Sequence, residues 1–169
     1  MNGNLSGWAR VHTLVHRICE GWALLGGIVL GLVVLINAYS IIADLLFGTP
    51  FPGDFELTEM GVAIAAFSFL PYCQITGSNV TADLFTASAG RAAVAVMTLF
   101  ASIIAVIFAI FMLWRMNAGL ADYLEYEEVT GILSIPIWYG FVPALISLIL
   151  LSLASVMSLA DIFGIHRRA

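Results

Sequence analysis

The sequence predicts an all-α integral membrane protein with four transmembrane helices and a short amphipathic segment at its N-terminus. Of its 169 residues, 62% are hydrophobic and only 10% are charged, whereas soluble domains are near half apolar and a quarter charged. The few charged residues are separated by long uncharged stretches, as membrane-spanning helices require. This composition excludes a soluble enzyme and a disordered chain, and the net charge of -5 gives no basic patch for nucleic acid.

The N-terminal segment, residues 4–18, has the periodicity of an amphipathic helix. Arg10 and Arg17 fall between apolar residues that recur at spacings of three and four. These apolar residues are Leu5, Trp8, Val11, Val15 and Ile18. We expect a short helix on the inner membrane surface, and a cytoplasmic extension of the first membrane span is the alternative.

Four uncharged stretches predict the membrane spans. Spans 1 to 3, at residues 21–43, 60–82 and 92–114, contain 23 residues each, or roughly 34 Å of helix against a hydrocarbon core of about 30 Å. The last stretch, 129–160, is longer than needed, so span 4 is expected at 136–160. The remaining segments are the loops 44–59, 83–91 and 115–135 and the tail 161–169. Span 1 is too long for the apolar region of a signal peptide, and no small-residue cleavage site follows it.

The basic residues predict the orientation. Five of the six arginines lie before span 1, between spans 2 and 3, or at the C-terminus, and Arg115 alone lies on the other side. The excess places both termini in the cytoplasm. The two outer loops are acidic, and they form either a solvated rim or a surface for a partner.

The spans lack the residues that ion pumping, disulfide formation or haem binding would need. No Asp, Glu or Arg falls inside them, whereas a self-sufficient pump usually carries an ionisable residue at membrane depth. Cys19 and Cys73 are expected at different depths, too far apart for a disulfide, and the three histidines lie outside the spans, where they cannot ligate a haem within the bilayer. We therefore expect no catalytic, metal-binding or substrate-binding residue, no enzyme activity and no cofactor in this chain.

Small residues predict close packing between helices, and packing inside this four-helix chain is favoured. They are Gly27 and Gly31 in span 1 and Ala101, Ala105 and Ala109 in span 3.

Polar residues, prolines and tryptophans add further expectations. Asn37 in span 1 and Gln74 in span 2 should face protein, and an interhelical hydrogen bond is favoured over contact with a substrate. Pro71 should kink span 2, and Pro136 should occupy the first turn of span 4, where a missing N–H costs little. Three tryptophans are expected at the membrane interfaces, namely Trp22, Trp114 and Trp138.

Several segments together resemble one family. Pro52–Glu59 opens span 2 with a Gly and a Glu-x-x-Glu pair, and the span continues through Phe69–Gln74 to Gly77–Asp83. Ile132–Trp138 leads into span 4 in a similar way. Over roughly residues 20 to 160 the chain resembles the small, DctQ-like membrane subunit of tripartite ATP-independent periplasmic (TRAP) transporters. The family-motif positions are also candidates for an interface with a partner, and they are Gly53, Glu56, Glu59, Gln74, Asn79, Asp83 and Arg91.

This resemblance implies a partner-dependent role in the bacterial inner membrane. In such transporters a periplasmic protein captures an organic anion, and a large membrane subunit carries the substrate and sodium sites. The small subunit pairs with the large one as part of its fixed scaffold. Asn79 replaces the His that many members carry, so no protonation role is expected there.

Roles at the motif positions follow as hypotheses. Glu56 and Glu59 are expected to cap the N-terminus of span 2, with contact to the binding protein as the alternative. Asp83 and Arg91 would pair with each other or with the large subunit. Two other classes of protein stay open: a self-contained four-helix exporter and a membrane assembly factor.

Overall fold

Four helices make up the parts of the chain that the structure, a computed structural model, describes, namely residues 3–77 and 91–162. The helices are α1 (Gly3–Phe47), α2 (Asp54–Ile75), α3 (Arg91–Glu125) and α4 (Trp138–Ile162). No β-strand occurs in these ranges, which confirms the all-helical prediction. Asn79 and Asp83 lie outside the described residues, as do most of the predicted loop 83–91 and the tail.

The N-terminal segment is the first part of α1 and not a separate helix on the membrane surface. α1 is one helix of 45 residues, or roughly 68 Å. No proline interrupts it, and extending an existing helix costs far less than starting a new one. The alternative expectation, a continuous extension of span 1, is the one that fits.

The helices pack in the order α1, α2, α4, α3, so α1 and α3 are the outer members. α1 contacts α4 only slightly, and α3 packs mainly on α4. α1 and α3 end at the same side where α2 and α4 begin. We call this side the acidic end, because it carries most of the described carboxylates.

Each outer helix buries only a narrow stripe. Among the α1 side chains that the structure describes, the buried residues are Cys19, Gly26, Val33 and Ser40, which recur every seven positions. In α3 Ser102 and Ala109 have the same spacing. A seven-residue repeat keeps one seam facing a neighbouring helix. Most other side chains of α1 and α3 are bulky, apolar and exposed.

The inner helices hold the core. Leu148 and Leu151 of α4 pack with Ala109 of α3. Several half-buried residues complete this cluster, namely Phe67, Met112, Leu113 and Met116. Because α4 lies between α2 and α3, it buries residues on more than one side.

Close packing uses different small residues from those predicted. A Cβ added at Gly26 would lie 2.6 Å from the Cβ of Ser68, and one added at Gly61 would overlap Val33. At Gly27 and Gly31 a Cβ would meet no atom within 4 Å. These two glycines are exposed, so the expected internal packing is corrected to Gly26, which lies one position earlier.

The alanine stripe of span 3 is also only partly internal. Ala109 is fully buried, Ala105 is half-buried, and Ala101 is exposed. The buried surface of α3 follows the seven-residue spacing of Ser102 and Ala109, and not the four-residue spacing of the alanines.

Three of the four described helices are long and apolar enough to cross a membrane, by length and composition. These segments are Ala9–Phe47, Leu99–Glu125 and Trp138–Ala160. α2 is shorter in its described part and carries three carboxylates in its first two turns. The four-span arrangement with both termini inside therefore stays a prediction.

Candidate functional site at the acidic end

A hydrogen-bonded network joins α1 to α2 near the acidic end. Asn37 Nδ2 donates to Thr58 Oγ1 at 2.6 Å and to the carbonyl of Val33 at 2.9 Å. Thr58 Oγ1 in turn donates to the carbonyl of Asp54 at 2.7 Å. This is the interhelical hydrogen bond expected for Asn37, and it satisfies an amide that would be costly to leave unpaired in lipid.

A second set of bonds holds the turn between α1 and α2. Ser40 Oγ donates to Asp54 Oδ2 at 2.5 Å and accepts from the N–H of Phe51 at 3.1 Å. Asp54 Oδ1 accepts from the N–H of Phe55 at 2.7 Å, so Asp54 satisfies a free amide in the first turn of α2. This role of Asp54 is not among those predicted above, although an acidic residue directly after a turn glycine is typical of a helix start.

Glu56 does not cap α2, which corrects the expected role. Its carboxylate reaches the loop between α3 and α4, where Oε1 accepts from the N–H of Ile132 at 2.7 Å and Oε2 from that of Leu133 at 3.0 Å. The pKa of Glu56 is lowered, chiefly by the hydrogen bond from the N–H of Leu133. Burial acts in the opposite direction, and the hydrogen bond from the N–H of Ile132 lowers the pKa further. A charged carboxylate is the form that these two N–H donors favour.

The loop that Glu56 holds is a tight hairpin. The N–H of Thr130 donates to the carbonyl of Ile135 at 2.9 Å, and the N–H of Ile137 donates to that of Glu128 at 3.1 Å. Ser134 has a positive φ of 53° at the turn. The hairpin leaves both amides of Ile132 and Leu133 free of partners within the loop's own backbone, and Glu56 supplies the acceptor.

Gly53 is required at this junction for two reasons. Its φ of 83° lies in the left-handed region, which glycine adopts without steric cost. A Cβ there would also overlap the side chain of Leu133. Gly53 and Glu56 therefore both bring the hairpin onto the start of α2, a relation between two family-motif positions that their spacing does not reveal.

Pro136 lies in this hairpin and not in the first turn of α4. It pairs with Val129 in an isolated antiparallel bridge, and α4 begins at Trp138. The carbonyl of Pro136 accepts from the N–H of Tyr139 at 3.1 Å. The N–H that Pro136 lacks would therefore lie in the hairpin and not in α4.

A cleft of about 590 Å³ opens beside the hairpin, between the ends of α2, α3 and α4. We call it the acidic-end cleft. Most of its walls are apolar, and its described charged residues are Glu56 and Glu59. Glu59 is exposed at this cleft and makes no hydrogen bond to α2's N-terminal amides. Apolar wall residues include Phe55, Met60, Ala63, Phe67, Met116 and Phe141.

The remaining candidates are spread over the molecule. Trp22 is half-buried, and its Nε1 donates to Ser147 Oγ at 2.8 Å, joining α1 to α4. Its polar atom therefore bonds within the protein, and its place at the membrane interface stays a prediction. Trp114 is 66% exposed on α3, and Trp138 opens α4 against Tyr139.

The far end of α2 holds two more predicted residues. Pro71 is buried inside α2, and the carbonyl of Gln74 accepts from Ser158 Oγ of α4 at 3.5 Å. Arg91 begins α3.

Within residues 3–77 and 91–162, no three His, Cys, Asp or Glu side chains are grouped so that they could hold a metal ion.

These features define a helical membrane protein whose polar residues serve structure and whose outer helices are apolar along most of their length. Residues 32–164 match the model of the family described as tripartite ATP-independent periplasmic transporters, DctQ component. The chain belongs to this family, which confirms the resemblance seen in the sequence and makes it a component of a TRAP transporter. Neither a curated protein nor a solved structure matches it at the level of significance required.

Proposed function

We propose that this chain is the small scaffold subunit of a TRAP-type secondary transporter in the bacterial inner membrane. It pairs with the large membrane subunit, which imports an organic anion with sodium from a periplasmic binding protein. The chain spans the membrane four times with both termini in the cytoplasm, so the acidic end faces the periplasm. Substrate and sodium sites belong to the large subunit.

The observation that carries this proposal is the outward face of α1. Gly27 and Gly31 lie one turn apart on an exposed surface, with no described atom within 4 Å of an added Cβ. Glycine in the middle of a helix costs about 1 kcal/mol relative to alanine, and nothing in the described part of the chain explains that cost. In membranes such pairs allow another helix to approach closely, which supports a membrane partner on this face.

The absence of charged residues from the central part of α1 supports the same role. Between Glu20 and Asp44 α1 carries no charged residue, so it offers a transported ion no charged partner. The outer helices present bulky side chains that both lipid and a protein partner accept. A fixed scaffold needs this kind of surface and needs no titratable group at depth.

The test is affinity purification of the tagged chain from its native membranes. The wild-type chain should bring down one large multi-span membrane protein. Gly27→Leu and Gly31→Leu together should reduce this recovery on the order of tenfold, since filling a close helix contact is strongly unfavourable.

Gly21→Leu is the matched control. Gly21 also has open space around it, but it lies about 120° around the helix from Gly27, and recovery should stay at the wild-type level. Transport by the chain alone in liposomes, with no partner recovered from membranes, would contradict the proposal and favour a self-contained exporter.

A further inference from the structure

We propose that the acidic-end cleft binds a phospholipid, with one acyl chain between α2, α3 and α4 and a primary ammonium headgroup beside Glu59. The inference requires only that the chain spans the membrane. It holds whether or not the large subunit is the partner of this chain.

The lining of the cleft suits a hydrocarbon chain. Met60 and Met116 provide flexible side chains from two helices, and Phe67 and Phe141 provide flat ones. Methionine adapts to irregular apolar shapes. A volume of about 590 Å³ lies within the range of small-molecule pockets.

The part of the cleft beyond Glu59 has about the length of one leaflet of a bilayer. Along α2 its lining runs from Phe55 to Phe67, and the part between Glu59 and Phe67 is roughly 12 Å long for eight residues of helix. Half of a hydrocarbon core of about 30 Å is about 15 Å. An acyl chain that begins at the level of Glu59 would therefore end near Phe67.

The charge at the opening selects the headgroup. The carboxylate of Glu56 is already engaged with two loop amides, whereas Glu59 is exposed and makes no hydrogen bond or ion pair with the residues that the structure describes. A carboxylate attracts an ammonium group and repels an anionic headgroup. A primary ammonium also donates hydrogen bonds, which the trimethylated headgroup of phosphatidylcholine cannot do, so phosphatidylethanolamine is the expected lipid.

The experiment reconstitutes the full-length chain, with any partner that co-purifies, in vesicles of phosphatidylethanolamine, phosphatidylglycerol and phosphatidylcholine in equal amounts. All three lipids carry the same acyl chains. Lipids retained after extraction are then identified by native mass spectrometry. The wild-type protein should retain one phosphatidylethanolamine in preference to the other two lipids.

Two variants separate the headgroup from the chain. Glu59→Gln should reduce the preference for phosphatidylethanolamine on the order of fivefold, as expected for an exposed ion pair. Ala63→Phe should abolish retention of this lipid, because Ala63 is exposed in the cleft wall and a larger side chain fills the space. Glu125→Gln, at the same end but outside the cleft wall, should behave as the wild type.

Equal retention of the three lipids by the wild-type chain would overturn the proposal. So would undiminished retention of phosphatidylethanolamine by Ala63→Phe. A protein side chain from a partner in the cleft, observed in a structure of the complex, would overturn it as well.

Discussion

At the scale of single residues, position within a helix decides what a glycine does. Gly26 and Gly27 are adjacent and chemically identical, yet one faces Ser68 at contact distance and the other faces open space. Their directions differ by about 100° around the helix axis. The sequence shows that small residues are present in span 1, but it does not show which of them points towards α2.

This difference predicts opposite effects of the same substitution. Gly26→Ala should lower the free energy of unfolding of the detergent-solubilised chain by about 1–3 kcal/mol, because the new methyl group overlaps Ser68. Gly27→Ala should leave it unchanged or raise it by up to about 1 kcal/mol, because alanine favours the helix. Thermal or denaturant unfolding followed by circular dichroism measures both. Equal effects of the two substitutions would show that α1 does not meet α2 along the Gly26 stripe.

At the scale of elements, the molecule is held together by narrow apolar seams and by polar bonds between elements, most of which lie near the acidic end. Asn37 and Ser40 reach from α1 to α2, and Glu56 reaches from α2 to the hairpin that leads into α4. In lipid, apolar burial gives little drive for helices to associate, so close packing and such bonds carry more of the specificity. The hairpin in particular is fixed by Glu56 and by the contact of Leu133 with Gly53.

The hairpin should therefore be released by acid. The carboxylate of Glu56 has a pKa below its ordinary value of 4.5 in the folded protein, so its stabilising contribution is complete above pH 4.5 and is lost as the pH falls through the lower, folded-state pKa. Hydrogen exchange at Ile132 and Leu133, corrected for the intrinsic rate at each pH, should accelerate over this interval.

Glu56→Gln should produce faster exchange of these two amides at neutral pH, on the order of tenfold, since a neutral amide oxygen is a weaker acceptor than a carboxylate. Glu59→Gln is the control on the same helix and should leave both amides protected. Slow exchange in Glu56→Gln across the whole pH range would mean that other contacts hold the hairpin.

At the scale of the whole molecule, the order α1, α2, α4, α3 leaves two long helices with most of their surface exposed. A soluble protein could not present so many apolar side chains to water. A membrane subunit can, because lipid or another membrane protein covers them. This arrangement agrees with membership in a family of transporter components.

The orientation of the molecule can be tested with single cysteines. After both native cysteines, Cys19 and Cys73, are replaced by serine, Asp122→Cys at the acidic end should react with a membrane-impermeant maleimide in intact bacteria that have a permeable outer membrane. Arg10→Cys should react only after the inner membrane is opened, because the excess of arginines keeps that side in the cytoplasm.

The reverse pattern of labelling would invert the topology proposed here. Reaction at both positions in intact cells would rule out that they lie on opposite sides of the membrane.

The sequence by itself determined the class of protein, the helical architecture and the family. Hydrophobicity and the spacing of charged residues are properties of the chain, so they can be recognised without coordinates, and the motif from Gly53 to Glu59 is contiguous. Only the tertiary structure decided that Glu56 holds a hairpin 76 residues away in the chain and that Trp22 bonds to Ser147. Such pairs depend on the rotation of each helix and on which helices become neighbours, and both are set by packing between distant segments.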